Sequence, residues 1–166
     1  MNNTLTDYFM RTAGSLAALS LVRCGISDEG AAAIARGISS SNTLTHIDLS
    51  ANVISDAGIE ALAHALAGDL PVDARDVQEE DPPLSCARRC GRPACLKTLD
   101  LGQNRLMDTG GVVLAEALPR SRTLESITVS HNFMMEDAAK ALLKAAASCH
   151  ATLKEIRSEG NLFDES

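Results

Sequence analysis

One pattern recurs five times along the chain, and it leaves few folds open. Leu16-x-x-Leu19-x-Leu21-x-x-Cys24-x-Ile26 is matched by Leu44, Ile47, Leu49, Asn52 and Ile54. It returns as Leu96, Leu99, Leu101, Asn104 and Leu106, and as Leu124, Ile127, Val129, Asn132 and Met134. A fifth copy is Leu153, Ile156, Ser158, Asn161 and Phe163. Successive starts lie 28, 52, 28 and 29 residues apart, so the unit is 28–29 residues and the long interval holds one unit plus 24 extra residues. A period in this range marks a solenoid, in which each unit buries its apolar face only against its neighbours.

The second half of each unit repeats as well. Ser27-Asp28-Glu29-Gly30, Ser55-Asp56-Ala57-Gly58, Met107-Asp108-Thr109-Gly110 and Met135-Glu136-Asp137-Ala138 each open a stretch with helical apolar spacing, such as Ile34 and Ile38, Leu62 and Leu66, or Leu114 and Leu118. Each unit therefore reads as a short strand, a turn and a helix. The acid at each helix start is expected to cap free N–H groups there and to meet the positive end of the dipole. Asn52, Asn104, Asn132 and Asn161 fall where the chain turns after a strand. An amide there both donates and accepts, so it can satisfy backbone groups that burial would leave unpaired.

The motif L-x-x-L-x-L-x-x-N/C-x-L followed by a helix resembles the leucine-rich repeat family, in its long, ribonuclease-inhibitor-like subtype. The resemblance implies an α/β fold: a curved horseshoe segment with a parallel sheet on the concave side and helices on the convex side. It implies that Cys24 takes the Asn position in the first repeat, completing a structural ladder of Cys24, Asn52, Asn104, Asn132 and Asn161. It also implies a non-enzymatic protein-binding scaffold.

Residues 1–15, with Leu5, Phe9 and Met10, are expected to form an N-terminal helical cap or partial repeat. Residues 16–166 are expected to form the repeat domain of about five repeats. In the last unit Ser158 stands at an apolar position, and Asp164-Glu165-Ser166 follows with no helix expected. Its strand should be a sheet edge, either guarded by Lys154, Glu155, Arg157 and Glu159 or covered in a longer relative. The 24 extra residues lie near 70–94, hold Pro71, Pro82, Pro83 and Pro93, and carry no strand pattern. They read as a disordered loop at a helix–strand junction. Their abrupt change in composition also fits a translated non-canonical exon or an unspliced segment, since 24 codons keep the reading frame.

Cys86-x3-Cys90-x4-Cys95 is the nearest approach to a metal site, but three cysteines at irregular spacing without a His do not make a zinc knuckle. No metal or cofactor is expected. Five cysteines, an odd number, with no basic start and apolar run at the N-terminus, suit reduced thiols in the cytoplasm or nucleus. No phosphate-binding Gly loop and no H-E-x-x-H occur. His46 and Asp48, with Ser20 and Ser50 near in register, do not make a hydrolytic triad on an open face that cannot exclude water.

Fifteen basic against 22 acidic residues give a net charge of −7, and aromatics make up 2% of the chain. That argues against a phosphate-neutralising or base-stacking surface. No stretch approaches the length of a membrane span. What remains is the polar concave face. Its candidate partner-binding residues are His46, Asp48, Lys97, Asp100, Gln103, Glu125, Thr128, His131 and Arg157. Asp48 and Asp100 should be near neighbours if the extra residues bulge out, and a partner's Lys or Arg could neutralise them. The expectation is a protein partner bound at modest affinity, with no nucleic acid and no membrane. Two other readings fit the resemblance. One is a regulator of a small GTPase, since Ran GTPase-activating proteins carry similar long repeats. The other is a repeat arm of a larger innate-immune sensor or of a cytoskeletal or ciliary protein.

Overall fold

The computed structural model describes residues 16–68, 95–148 and 152–165. The expected cap at 1–15 and the extra segment, with Cys86 and Cys90, lie outside the described residues. Among the described residues, five three-residue strands alternate with four helices. They run β1 (Ala18–Ser20), α1 (Asp28–Ser40), β2 (His46–Asp48), α2 (Asp56–Ala67), β3 (Thr98–Asp100), α3 (Asp108–Ala117), β4 (Ser126–Thr128), α4 (Glu136–Ser148) and β5 (Glu155–Arg157). A 3-10 turn, Leu118–Arg120, extends α3, and another, Leu162–Glu165, follows β5. The sequence reading expected no helix after β5, and the short turn there is a modest correction.

The strands form one parallel sheet in chain order. Ile47 pairs with Leu99, Leu99 with Ile127, and Ile127 with Ile156. The 52-residue interval thus returns the chain to the neighbouring position in unbroken register, and the extra residues leave the sheet pairing untouched. The apolar strand positions stack as rows: Leu44, Leu96 and Leu124; Ile47, Leu99 and Ile127; Leu49, Leu101 and Val129, all buried. The helices close the other side with Ile34, Ile38, Leu62, Leu66, Leu114 and Leu118. Such rows keep water from the aliphatic side chains within them, except at the two ends of the stack.

Two sets of side chains tie successive repeats together. Asn132 Oδ1 accepts from the backbone N–H groups of Asn104 at 3.1 Å and Leu106 at 3.2 Å in the preceding repeat. Its Nδ2 donates to the carbonyls of Leu101, Val129 and Ser130. Asn52, Asn104 and Asn161 make the equivalent bonds. Cys24, at the same position in the first repeat, is exposed, and its Sγ reaches only Val22 O at 3.5 Å.

The helix-start acids work differently from the sequence expectation. Asp28 Oδ1 accepts from the N–H groups of Ser55 and Gly58, and Oδ2 from Ser55 Oγ, all in the following repeat. Asp56 Oδ1 accepts from Met107 N at 2.8 Å, and Asp108 Oδ1 from Met135 N at 2.7 Å and Ala138 N at 3.2 Å. Each aspartate caps the next helix rather than its own. Ser27, Ser55 and Met107, at the N-cap positions of α1, α2 and α3, make no side-chain cap bond. The close approach explains why Gly58 stands where it does: a Cβ there would lie 2.7 Å from Asp28 Oδ1 and from Ile54 Cγ2.

Candidate protein-binding face

Alternation along each strand sends the residues between the apolar positions to the open face of the sheet. Register then lines them up across repeats. One row is Ser20, Asp48, Asp100, Thr128 and Arg157, and another is Ala18, His46, Thr98, Ser126 and Glu155. Asp48 and Asp100 are direct cross-strand partners on neighbouring strands. The sequence reading treated these carboxylates as unpaired, yet each is held by its own chain. Asp48 Oδ1 accepts from Ser50 N at 3.0 Å and Ser50 Oγ at 2.7 Å, and Asp100 Oδ1 accepts from Gly102 N at 2.8 Å. Among the described residues neither forms an ion pair. Two anions side by side therefore lack a direct ion-pair partner, and Arg157 at the far end of the row acts on Asp100 only at longer range.

The other candidates are more committed within the molecule. Glu125 sits between Lys97 Nζ at 3.2 Å and Lys154 Nζ at 2.7 Å, bridging three strands. The Lys154 hydrogen bond first, then that of Lys97, holds its carboxyl below the usual carboxylate range. Arg157 Nε donates to Glu155 Oε1 at 2.8 Å, which raises an already high guanidinium pKa. His46 Nδ1 lies 2.7 Å from Thr45 Oγ1. Thr128 is half-buried between the Asp100 and Arg157 positions.

Gln103 and His131 lie past the strand ends, in a column with Arg23 and Ala51 where every residue has a left-handed φ of 55–56°. Non-glycine residues rarely adopt this conformation. Here each N–H is pinned to the next repeat: Gln103 N to Ser130 O, and His131 N to Glu159 O. The fifth member of the column is Gly160, across which the His131 ring folds so closely that any Cβ would overlap it.

The sequence names Glu159 as an edge charge but does not put it among the binding-face candidates. It accepts from Ser130 Oγ at 2.5 Å, a bond that lowers its pKa. The 29-residue offset already places Glu159 in the Ser50, Gly102 and Ser130 column, so the signal was present. Among the described residues, no group of three or more His, Cys, Asp or Glu side chains could hold a metal, and no helix is long and apolar enough to cross a membrane.

The repeats define a class of protein on their own, and comparison agrees. A family model described as Leucine Rich repeat matches residues 15–35, 40–63 and 93–115. Over these residues the chain carries leucine-rich repeats, and its fold is the α/β solenoid that such repeats build. It is 27% identical over 143 residues to mouse (Mus musculus) NACHT, LRR and PYD domains-containing protein 14, covering 86% of this chain and 12% of that protein. It is 28% identical over 160 residues to mouse NACHT, LRR and PYD domains-containing protein 5, covering 92% and 14%. The chain thus spans about one-seventh or less of the length of these relatives. Among solved structures, leiomodin-1 actin-binding site 2 shares the fold with a TM-score of 0.69, at 11% identity, over 93% of this chain and 77% of that one. The repeats and these homologues support a protein-interaction module, a role this fold generally fills without catalysis.

Proposed function

We propose that this chain is a non-enzymatic module that binds a protein partner through the concave face of its sheet, in the cytoplasm or nucleus. The observation that carries the reading is the Asp48–Asp100 pair, in register, oriented by Ser50 and Gly102 and in no direct ion pair among the described residues. A Lys or Arg side chain on the partner completes it. Like charges directly opposite weaken a sheet, so neutralisation by a partner is favourable in itself. The free thiols of Cys24 and Cys95 suit a reducing compartment. Helices of 10–13 residues behind every one of the first four strands support the long, ribonuclease-inhibitor-like subtype.

The test is affinity capture followed by titration of the captured protein against three baits. These are the intact chain, a deletion of residues 70–93, and the double variant Asp48→Lys with Asp100→Lys. Charge reversal should weaken the partner about tenfold or more. A partner that binds the double variant undiminished removes the concave-face reading, and one lost only with the deletion moves the site to the extra segment. A second reading, a repeat arm of a larger protein carrying NACHT and PYD domains, is favoured by the names and lengths of the relatives. An immunoblot of the endogenous protein well above 17.5 kDa supports it, and a band at 17.5 kDa alone removes it.

A further inference from the structure

The helix positions Ala35, Ala63 and Ala115 are 0%, 2% and 3% exposed, because each is covered within the stack. The same position in α4 is Leu143, and it is 73% exposed. A leucine at the one uncovered place in a column of buried alanines is a surplus apolar side chain pointing off the end of the stack. Beside it, β5 is the sheet edge among the described residues.

The edge has a specific geometry. Toward β4, backbone bonds run from Lys154 N to Glu125 O, from Val129 N to Arg157 O and from His131 N to Glu159 O. Alternation therefore aims both the N–H and the C=O of Ile156 outward, together with the C=O of Lys154. An antiparallel copy centred on Ile156 then exchanges both hydrogen bonds between the two Ile156 residues. The same axis sets Glu155 opposite Arg157, twice. A parallel or shifted pairing lacks this complementarity.

From these observations we propose that β5 and the open face of α4 form a two-fold interface with a second copy of this chain. The sheets join antiparallel at Ile156, and the two Leu143 side chains are buried against the partner's α4. The interface is isologous, so it closes at a dimer and does not propagate into fibres. The edge charges, which would otherwise ward off any incoming strand, select this one register. The proposal is independent of the Asp48–Asp100 reading.

Sedimentation equilibrium of the full chain from 1 µM to 500 µM tests it, on an order-of-magnitude concentration range suited to a weak edge contact. The mass should rise from 17.5 kDa toward twice that value. Leu143→Lys and Arg157→Glu should each raise the dimer dissociation constant about tenfold or more. Glu155→Arg combined with Arg157→Glu should restore dimerisation, since the swapped pair is again complementary. Far-UV circular dichroism checks that each variant is folded. A mass of 17.5 kDa at every concentration overturns the proposal. So does a dimer that both single variants leave intact, or a swap that fails to rescue.

Discussion

The two inter-repeat ladders make an instructive pair. The asparagines reach backward, each from its own turn to the backbone of the preceding repeat, and they are 3–7% exposed. The aspartates reach forward, from one helix start to the next, and they lie at the partly exposed rim. An amide both donates and accepts, so one Asn side chain serves one or two N–H groups and two or three carbonyls. A carboxylate only accepts, so it suits a helix N-terminus, where every orphan group is a donor. The chemistry of the unsatisfied backbone thus selects the side chain. Because the ladders run in opposite directions, each interior repeat is held from both sides.

The largest effect should come from breaking the buried ladder in its middle. Asn132→Ala leaves two N–H donors and three carbonyls in an interior that is 4% exposed at this residue. A loss of about 3 kcal/mol or more is expected, since each buried group left unmade costs roughly 1–3 kcal/mol. Cys24→Ala at the equivalent exposed position should change stability by less than about 0.5 kcal/mol. Urea unfolding at constant m-value checks both. Equal effects at the two positions would mean that burial does not set the strength of the ladder.

These ladders were unequally legible in the sequence. The asparagines announce themselves, because the position after each strand must turn and, where it is buried, a two-way hydrogen-bonding side chain solves it. The strand register was legible too: subtracting 24 residues places Leu99 beside Ile47, as the sheet shows. The direction of the aspartates was not. An acid at a helix start sits two or three residues from its own free N–H groups and 27–30 residues from those of the next helix, or 51 where the extra segment intervenes. A repeat satisfies both spacings at once. What decides is the translation between repeats, which brings Asp28 to 2.7 Å from Ser55 N, and no one-dimensional pattern contains that distance. On the concave face the columns could be counted off, but not which charges would pair. Lys97, Glu125 and Lys154 share a column, and only the long side chains' reach shows that one glutamate bridges both lysines.

The aspartate ladder offers a middling effect and a sharper discrimination. Asp108→Ala should cost about 1 kcal/mol, the usual value of a helix cap. Its local signature matters more than its size. Amide exchange should quicken at Met135 and Ala138, whose N–H groups donate to Asp108, while Gly111 in its own helix, whose N–H donates to Met107 O, stays protected. Loss of protection at Gly111 instead would return the aspartate to its own helix. Asp108→Asn keeps an acceptor oxygen without the charge, so it should cost roughly half as much, the remainder being the dipole contribution.

The smallest effect belongs to the exposed bridge over β3, β4 and β5, which neither ladder touches. Glu125 titrates below its ordinary range in the folded protein, chiefly through Lys154 and then Lys97. A carboxyl lowered in this way adds stability above its unfolded pKa, and that contribution disappears as the pH falls through the folded value. Glu125→Gln should therefore be slightly less stable than the natural protein at pH 7, and the gap should close at a pH well below the usual carboxylate range. Glu159, lowered mainly by its bond from Ser130, titrates in both proteins and cancels in the comparison. High salt at pH 7 should narrow the same gap, because exposed ion pairs are screened. A gap that persists unchanged in acid would show that Glu125 acts through packing rather than charge. The bridge would then belong with the asparagines as a polar tie, not as an electrostatic one.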